Sequence, residues 1–229
     1  MIALTRMRLH GFVRTGRAVA PLIAALAVLS ILYGGGQAET VEAYGVSALV
    51  AFPVLAWQTK ILLDVEPDVQ RRLARVTLGS AAREIAAGLL AAATAGLGTI
   101  AVALAVPWVF GGVKGDASGV KGDAVSILIG LAVHLLALGP AVALGALSSR
   151  AVTRTAGMGA AVLVTGSVLA IVLGLQGSPA PWLVPPLMAA TRLTTSGGTT
   201  RTALTLIAHA TLWTAAAAFA YARLRRNRA

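Results

Sequence analysis

No cysteine occurs in the 229 residues, which excludes a disulfide framework, a thiol nucleophile and a cysteine-held iron–sulfur cluster. Charge is also scarce. Only 12% of residues are Asp, Glu, Lys or Arg against 57% hydrophobic, and mean hydropathy reaches +0.82. A water-soluble domain of this length needs a polar coat that such a composition does not supply, so the chain belongs with membrane proteins. Acidic residues are outnumbered by basic ones, eight against nineteen Lys and Arg, for a net charge of +11. That excess does not read as a nucleic-acid face, because the few aromatic residues are not interleaved with basic runs. It reads instead as a set of topology signals. Enzyme signatures are missing too: there is no HExxH, no GxSxG, no phosphate-binding GxxxxGK[ST] and no pair of intramembrane carboxylates.

What remains is a series of runs free of Asp, Glu, Lys and Arg, each able to supply most of a membrane helix of about 20 residues. They predict an all-α polytopic membrane protein, one transmembrane domain over 1–229, with six helices at 18–36, 43–63, 83–110, 124–148, 156–175 and 202–222. The second reaches span length only by passing Lys60, which can snorkel from a helix end. The run 155–191 is too long for one span and too short for two with a turn. Its second half, "QGSPAPWLVPPLMAATRL", carries four prolines that end regular helix. Residues 176–198 are therefore expected to form a re-entrant or interfacial hairpin shielded by neighbouring helices. The alternative is an exposed loop anchored at the interface by Trp182.

Six crossings put both termini on one side. Fifteen of the nineteen basic residues then share that side, and only Lys114, Lys121, Arg192 and Arg201 lie on the other. By the positive-inside rule the termini are expected to be cytoplasmic; the Ala-, Gly-, Val- and Arg-rich composition with little Lys suits a high-GC bacterium, and the expected location is a bacterial inner membrane. Within 1–17, Arg6, His10, Arg14 and Arg17 fall along one helical stripe and Ile2, Leu9, Phe12 and Val13 along another. This predicts a helix lying on the membrane surface, with Arg6, Arg14, Arg17 and Trp182 as interface residues.

The loop 112–124, "GVKGDASGVKGDA", repeats GVKGDA without an apolar face; it reads as a flexible solvent loop. His134 and His209 fall within predicted spans, where a histidine either hydrogen-bonds at a helix contact or serves a cofactor such as haem or quinone. Small residues, among them Gly88, Ala92, Gly96, Gly98, Gly130, Gly139, Gly145, Gly157 and Gly159, suggest closely packed helices.

Half of the acidic residues, Asp64, Glu66, Asp68 and Glu84, stand in one island, "DVEPDVQRRLARVTLGSAARE", with four arginines. Pro67 can open a helix, and Ser80 stands where an N-cap precedes a first turn containing Glu84. The island therefore divides into a span end, a short surface helix and a span start, with 64–82 as a cytoplasmic segment.

This order resembles the membrane subunits of ABC exporters of the ABC-2 class. The matching positions in "VQRRLARVTLGSAAREIAAGLL" are Leu73, Thr77, Ser80, Arg83, Glu84, Ile85 and Gly88, and "PAPWLVPPL" before the last span adds to the likeness. The usual turn proline is replaced by "VTLGS". The resemblance implies a permease, not itself an enzyme, that moves a hydrophobic or amphipathic substrate. It implies a coupling helix within 68–80, with Asp68, Arg71, Arg72, Arg75, Ser80, Arg83 and Glu84 as partner-coupling residues. It also implies two ATP-binding cassette ATPase subunits as partners, which would hold the ATP and Mg, and a second permease subunit in the same bilayer. No cofactor is expected in this chain. A membrane scaffold or assembly protein is the other reading.

Overall fold

Helix α1 (Ile2–Arg14) stops where Gly16 adopts φ +71°, a left-handed conformation that costs glycine little. The chain then turns through 71° into α2 (Val19–Tyr33). These coordinates come from a computed structural model that describes residues 1–115 and 119–226, the side chain of Asp68 excepted.

Four long apolar helices follow: α3 (Thr40–Leu63), α5 (Ala81–Val109), α6 (Val120–Leu147) and α10 (Thr200–Arg226). At about 1.5 Å per residue even the shortest exceeds the ~30 Å hydrocarbon core of a bilayer. All four are long and apolar enough to cross a membrane, α6 together with the short α7 (Arg150–Thr153), and the bent pair α1 and α2 makes a fifth if it acts as one span. Helix α8 (Ala156–Val172) is apolar but only 17 residues long. The chain is all-α, as expected, and consistent with a multi-pass membrane protein.

Helix α3 is the axis of the bundle. Of its most apolar window 61% is buried, against 6% for α10, so α3 is walled in while α10 lies at the periphery. Close approach follows the small residues at most of the expected places. A Cβ on Gly96 would strike Leu138, one on Gly130 would strike Tyr44, and one on Gly145 would strike the Ala56 carbonyl. At Gly98 and Gly157 the space is open, so those two glycines serve no helix contact.

Several sequence boundaries shift. Helix α2 covers 15 residues where 18–36 was expected, because the chain leaves it for the strand β1 (Ala38–Glu39). That strand pairs in parallel with β2 (Val113–Lys114), Ala38 opposite Val113 and Glu39 opposite Lys114. The predicted solvent loop is thus partly structured. Val113 is buried in an apolar cluster with Leu29, Tyr33 and Val106, which favours docking of this stretch over its solvation. The second GVKGDA copy lies inside α6, which begins at Val120 rather than 124; Asp116 lies outside the described residues.

The segment 176–198 forms a single 3-10 turn (Pro181–Leu183) followed by α9 (Leu187–Ser196). Thr191 Oγ1 donates to the Gly45 carbonyl of α3 at 3.1 Å. Arg192 donates to the Gly174 carbonyl at 3.3 Å, and Trp213 Nε1 of α10 donates to the Leu183 carbonyl at 2.9 Å. The proline-rich stretch is thereby fastened to α3, the end of α8 and α10.

Candidate functional site

The charged island folds as two helices around a left-handed joint. Pro67, at φ −61° and ψ 153°, leads into α4 (Asp68–Leu78), and Gly79 ends it at φ +63°. The chain restarts as α5 after Ser80, which is extended at φ −157° and ψ 126°. Ser80 holds the N-cap position, but its hydroxyl makes no capping hydrogen bond.

Beneath α4 lies a buried ionic cluster. Glu84, in the first turn of α5, has no exposed surface. Its carboxylate accepts from Arg8 of α1 and from Arg225 near the end of α10, the latter at 2.9 and 2.7 Å. Arg8 also donates to the Glu84 carbonyl at 3.0 Å and, through Nε and Nη2, to Glu66 Oε2 at 3.0 and 2.5 Å. Arg225 donates in turn to the Tyr221 hydroxyl at 2.7 Å. Both arginines are nearly inaccessible, at 6% and 4% exposure. Desolvation alone would lower the Arg8 pKa; hydrogen bonds and charge from Glu66 and Glu84 outweigh it and hold the guanidinium's pKa above its ordinary value. Such a cluster adds little net stability over an apolar core, but removing one member leaves the rest uncompensated.

The cluster draws the first and last helices of the described chain to one end of the bundle. Close by, Asp64 at the end of α3 accepts from Lys60 at 2.8 Å and from the Arg150 backbone N–H at 2.8 Å. A cavity of about 620 Å³ opens here, lined by seven arginines together with Asp64 and Glu66. On the far side of α4 an apolar groove of about 640 Å³ runs against α1, past Met7, Leu73 and Leu78.

The seven residues singled out in the island separate into distinct environments. Arg71 donates to the Glu66 carbonyl at 3.1 and 2.8 Å. Arg75 comes to 3.7 Å of Glu84. Arg72 is exposed and lines the cavity, while Arg83 is exposed and reaches only the Leu78 carbonyl at 3.5 Å. Asp68 opens α4; its side chain lies outside the described residues. Glu84 departs most from expectation: with no accessible surface it cannot touch a soluble partner and instead ties α5 to α1 and α10. The outward face of α4 is apolar as well as basic, since Val69, Leu73 and Val76 are 69%, 63% and 81% exposed.

The interface residues Arg6, Arg14 and Arg17 are exposed, as is Trp182. Helix α1 is turned differently from its apolar stripe, however: Ile2 and Val13 are exposed, and Thr5, Arg8 and Phe12 face the bundle. Arg8, Glu66 and Arg225 escaped the sequence reading. Arg8 sits four residues before Phe12 and so shares its face, a signal that could have found it had an arginine been allowed on the inner stripe.

The histidines are bound within the protein. His134 is fully buried; Nδ1 donates to the Gly130 carbonyl at 2.7 Å and Nε2 lies 3.1 Å from Ser47 Oγ. His209 Nε2 lies 3.3 Å from the Trp182 carbonyl. Both nitrogens of His134 are thus engaged by protein atoms, which suits a hydrogen-bonded helix contact better than a haem ligand. No family model, curated protein or solved structure matches this chain.

Proposed function

We propose that the chain is the permease subunit of an ATP-driven ABC exporter of the ABC-2 class, working as a pair of permeases with two ATPase subunits. In this reading it crosses a bacterial inner membrane six times, with α2 and α8 completing the set, and both termini are cytoplasmic. The stretch around α9 is the re-entrant element, ATP and Mg belong to the partner, and a hydrophobic or amphipathic substrate passes between paired bundles.

The observation that carries this reading is the setting of α4. It is a short amphipathic helix between two membrane-length helices, outward-facing through Val69, Arg72, Leu73 and Val76, and backed by a cluster that reaches α1, α5 and α10. Apolar side chains with arginine form the kind of surface that fits a cleft on a soluble protein. A push on α4 would pass through Glu66 and Glu84 into three helices at once.

The test is copurification of the tagged chain with an ATPase, comparing the wild type with the combined variant Val69→Asp, Arg72→Ala and Val76→Asp. Loss of the ATPase and of ATP-coupled transport is expected, with the thermal midpoint of the isolated permease unchanged. Transport and association that survive the variant would refute the coupling role, and a wild type that retains no ATPase would favour the scaffold reading. Tags at both termini should be protected from impermeant reagents in intact cells; labelling of either would overturn the orientation.

A further inference from the structure

The arginine-lined cavity contains more positive charge than the protein itself answers. Three of its seven arginines are committed: Arg225 to Glu84 and Tyr221, Arg71 to the Glu66 carbonyl, and Arg150 near Asp64 at 3.8 Å. Its two carboxylates are also committed. Asp64 is held by Lys60 and the Arg150 amide and Glu66 Oε2 by Arg8, while Glu66 Oε1 is buried with no hydrogen-bond partner among the described residues.

Arg17, Arg72 and Arg154 make no ion pair or side-chain hydrogen bond among the described residues, and Arg75, though ion-paired with Glu84 at 3.7 Å, keeps a buried Nε with no hydrogen-bond partner among them. These four come from three separate places: the joint between α1 and α2, helix α4, and the end of α7. Arg154 is, among the described residues, the one non-glycine residue with positive φ, at +67°. A non-glycine residue held there costs of order 1 kcal/mol or more, so the fold maintains a strained turn at the cavity's edge. Like charges lining one cavity repel one another unless an anion joins them.

We infer that this cavity is a binding site for a phosphate-bearing anion, bridged by Arg17, Arg72, Arg75 and Arg154. Guanidinium groups suit this ligand because their planar donors meet phosphate oxygens in pairs. The cavity also lies where helices end, beside the last residues of α3 and α10 and just before α2. That is the level at which basic pockets between helices meet phospholipid headgroups. The same chemistry would accept a soluble phosphate, so the source is decided by experiment. The inference does not rest on the transport reading, because it concerns the isolated chain; the two sites share Arg72, and the variants that test the cavity leave that residue unchanged.

The test uses the purified full chain without any ATPase, reconstituted in nanodiscs of phosphatidylcholine with or without phosphatidylglycerol, and separately titrated with inorganic pyrophosphate. Wild type is compared with Arg17→Gln/Arg154→Gln and with the control Arg6→Gln/Arg14→Gln, which removes equal charge outside the cavity. Saturable retention of phosphatidylglycerol in native mass spectra is expected, weakened about thirtyfold in the cavity variant, which corresponds to about 2 kcal/mol for two lost arginine–phosphate contacts, and less than about threefold in the control, which loses none. If pyrophosphate rather than lipid shows that pattern, the source is soluble and the site stands. Equal weakening in both variants, or no saturable binding of either probe, overturns the inference. The thermal midpoint of each variant without ligand, expected within about a degree of wild type, separates lost binding from lost folding.

Discussion

At the end of the bundle where α1, α4 and α10 meet, Glu84 gathers Arg8 and Arg225 from elements 76 and 141 residues away. At the other end, Ala38 and Glu39 meet Val113 and Lys114 through backbone pairing, and Thr40 Oγ1 donates to the Lys114 carbonyl at 2.7 Å. Both devices join elements that are distant in sequence, but they fail differently. Charged groups out of water have no cheap broken state, whereas a neutral backbone contact near solvent trades its partners for water at small cost. The ionic end is therefore a joint that is either closed or lost, and the neutral end one that can loosen. Under the proposed function this places the stiff joint on the side where a partner would push.

The comparison breaks most readily at Glu84. Glu84→Gln leaves Arg8 and Arg225 without their shared charge, and the cost expected for one member of a buried pair is about 3–5 kcal/mol. Detergent-solubilised protein should show a strongly lowered thermal midpoint or fail to elute as a single species. A midpoint equal to wild type would mean that this end is not closed by charge.

Next comes Gly145, which lets α6 lie against the Ala56 carbonyl and Thr59 of α3. Gly145→Val should cost about 1–3 kcal/mol through overpacking, while Gly98→Ala, in open space, should be neutral or slightly stabilising. The same melting assay separates them, and equal effects would remove close packing as the explanation. At the neutral end, Thr40→Ala should cost only about 1 kcal/mol; an effect as large as that of Glu84→Gln would abolish the distinction between the ends.

The smallest effect concerns pH. Because the Arg8 pKa is held above its ordinary value, its contribution is present below the unfolded-state pKa and disappears only as pH rises through the still higher folded value. Taking the protein from pH 7 to pH 10 should leave this contribution intact, as measured by the wild-type midpoint relative to an Arg8→Gln variant. A wild-type advantage that vanishes by pH 10 would show that Arg8 is not the cation at the joint.

Much of this was legible in the chain. Runs without charge located the long helices, and Pro67 and Ser80 marked the starts of α4 and α5 because their backbone preferences are local. What escaped was long-range pairing: nothing near Arg8 announces that its partners are Glu66 and Glu84, and Glu84 looked like a surface residue of a charged island. Amphipathic periodicity sorts side chains by polarity, so it turned α1 toward Ile2 and Val13 and away from the arginine that the fold takes inside. Likewise "GVKGDA" looked uniformly polar, yet its Val113 found an apolar cluster supplied by α2 and α5.

The shared use of Glu84 also sets an order of events during biosynthesis. Arg8 is made before Glu84, but Arg225 comes 141 residues later, which at about 5–20 residues per second is a wait of roughly 7–28 s. For that interval a nascent chain can be anchored at its beginning and still have half of its joint open. A chain interrupted before Arg225 would keep that open joint permanently, offering quality-control proteases a mark that a finished chain has erased.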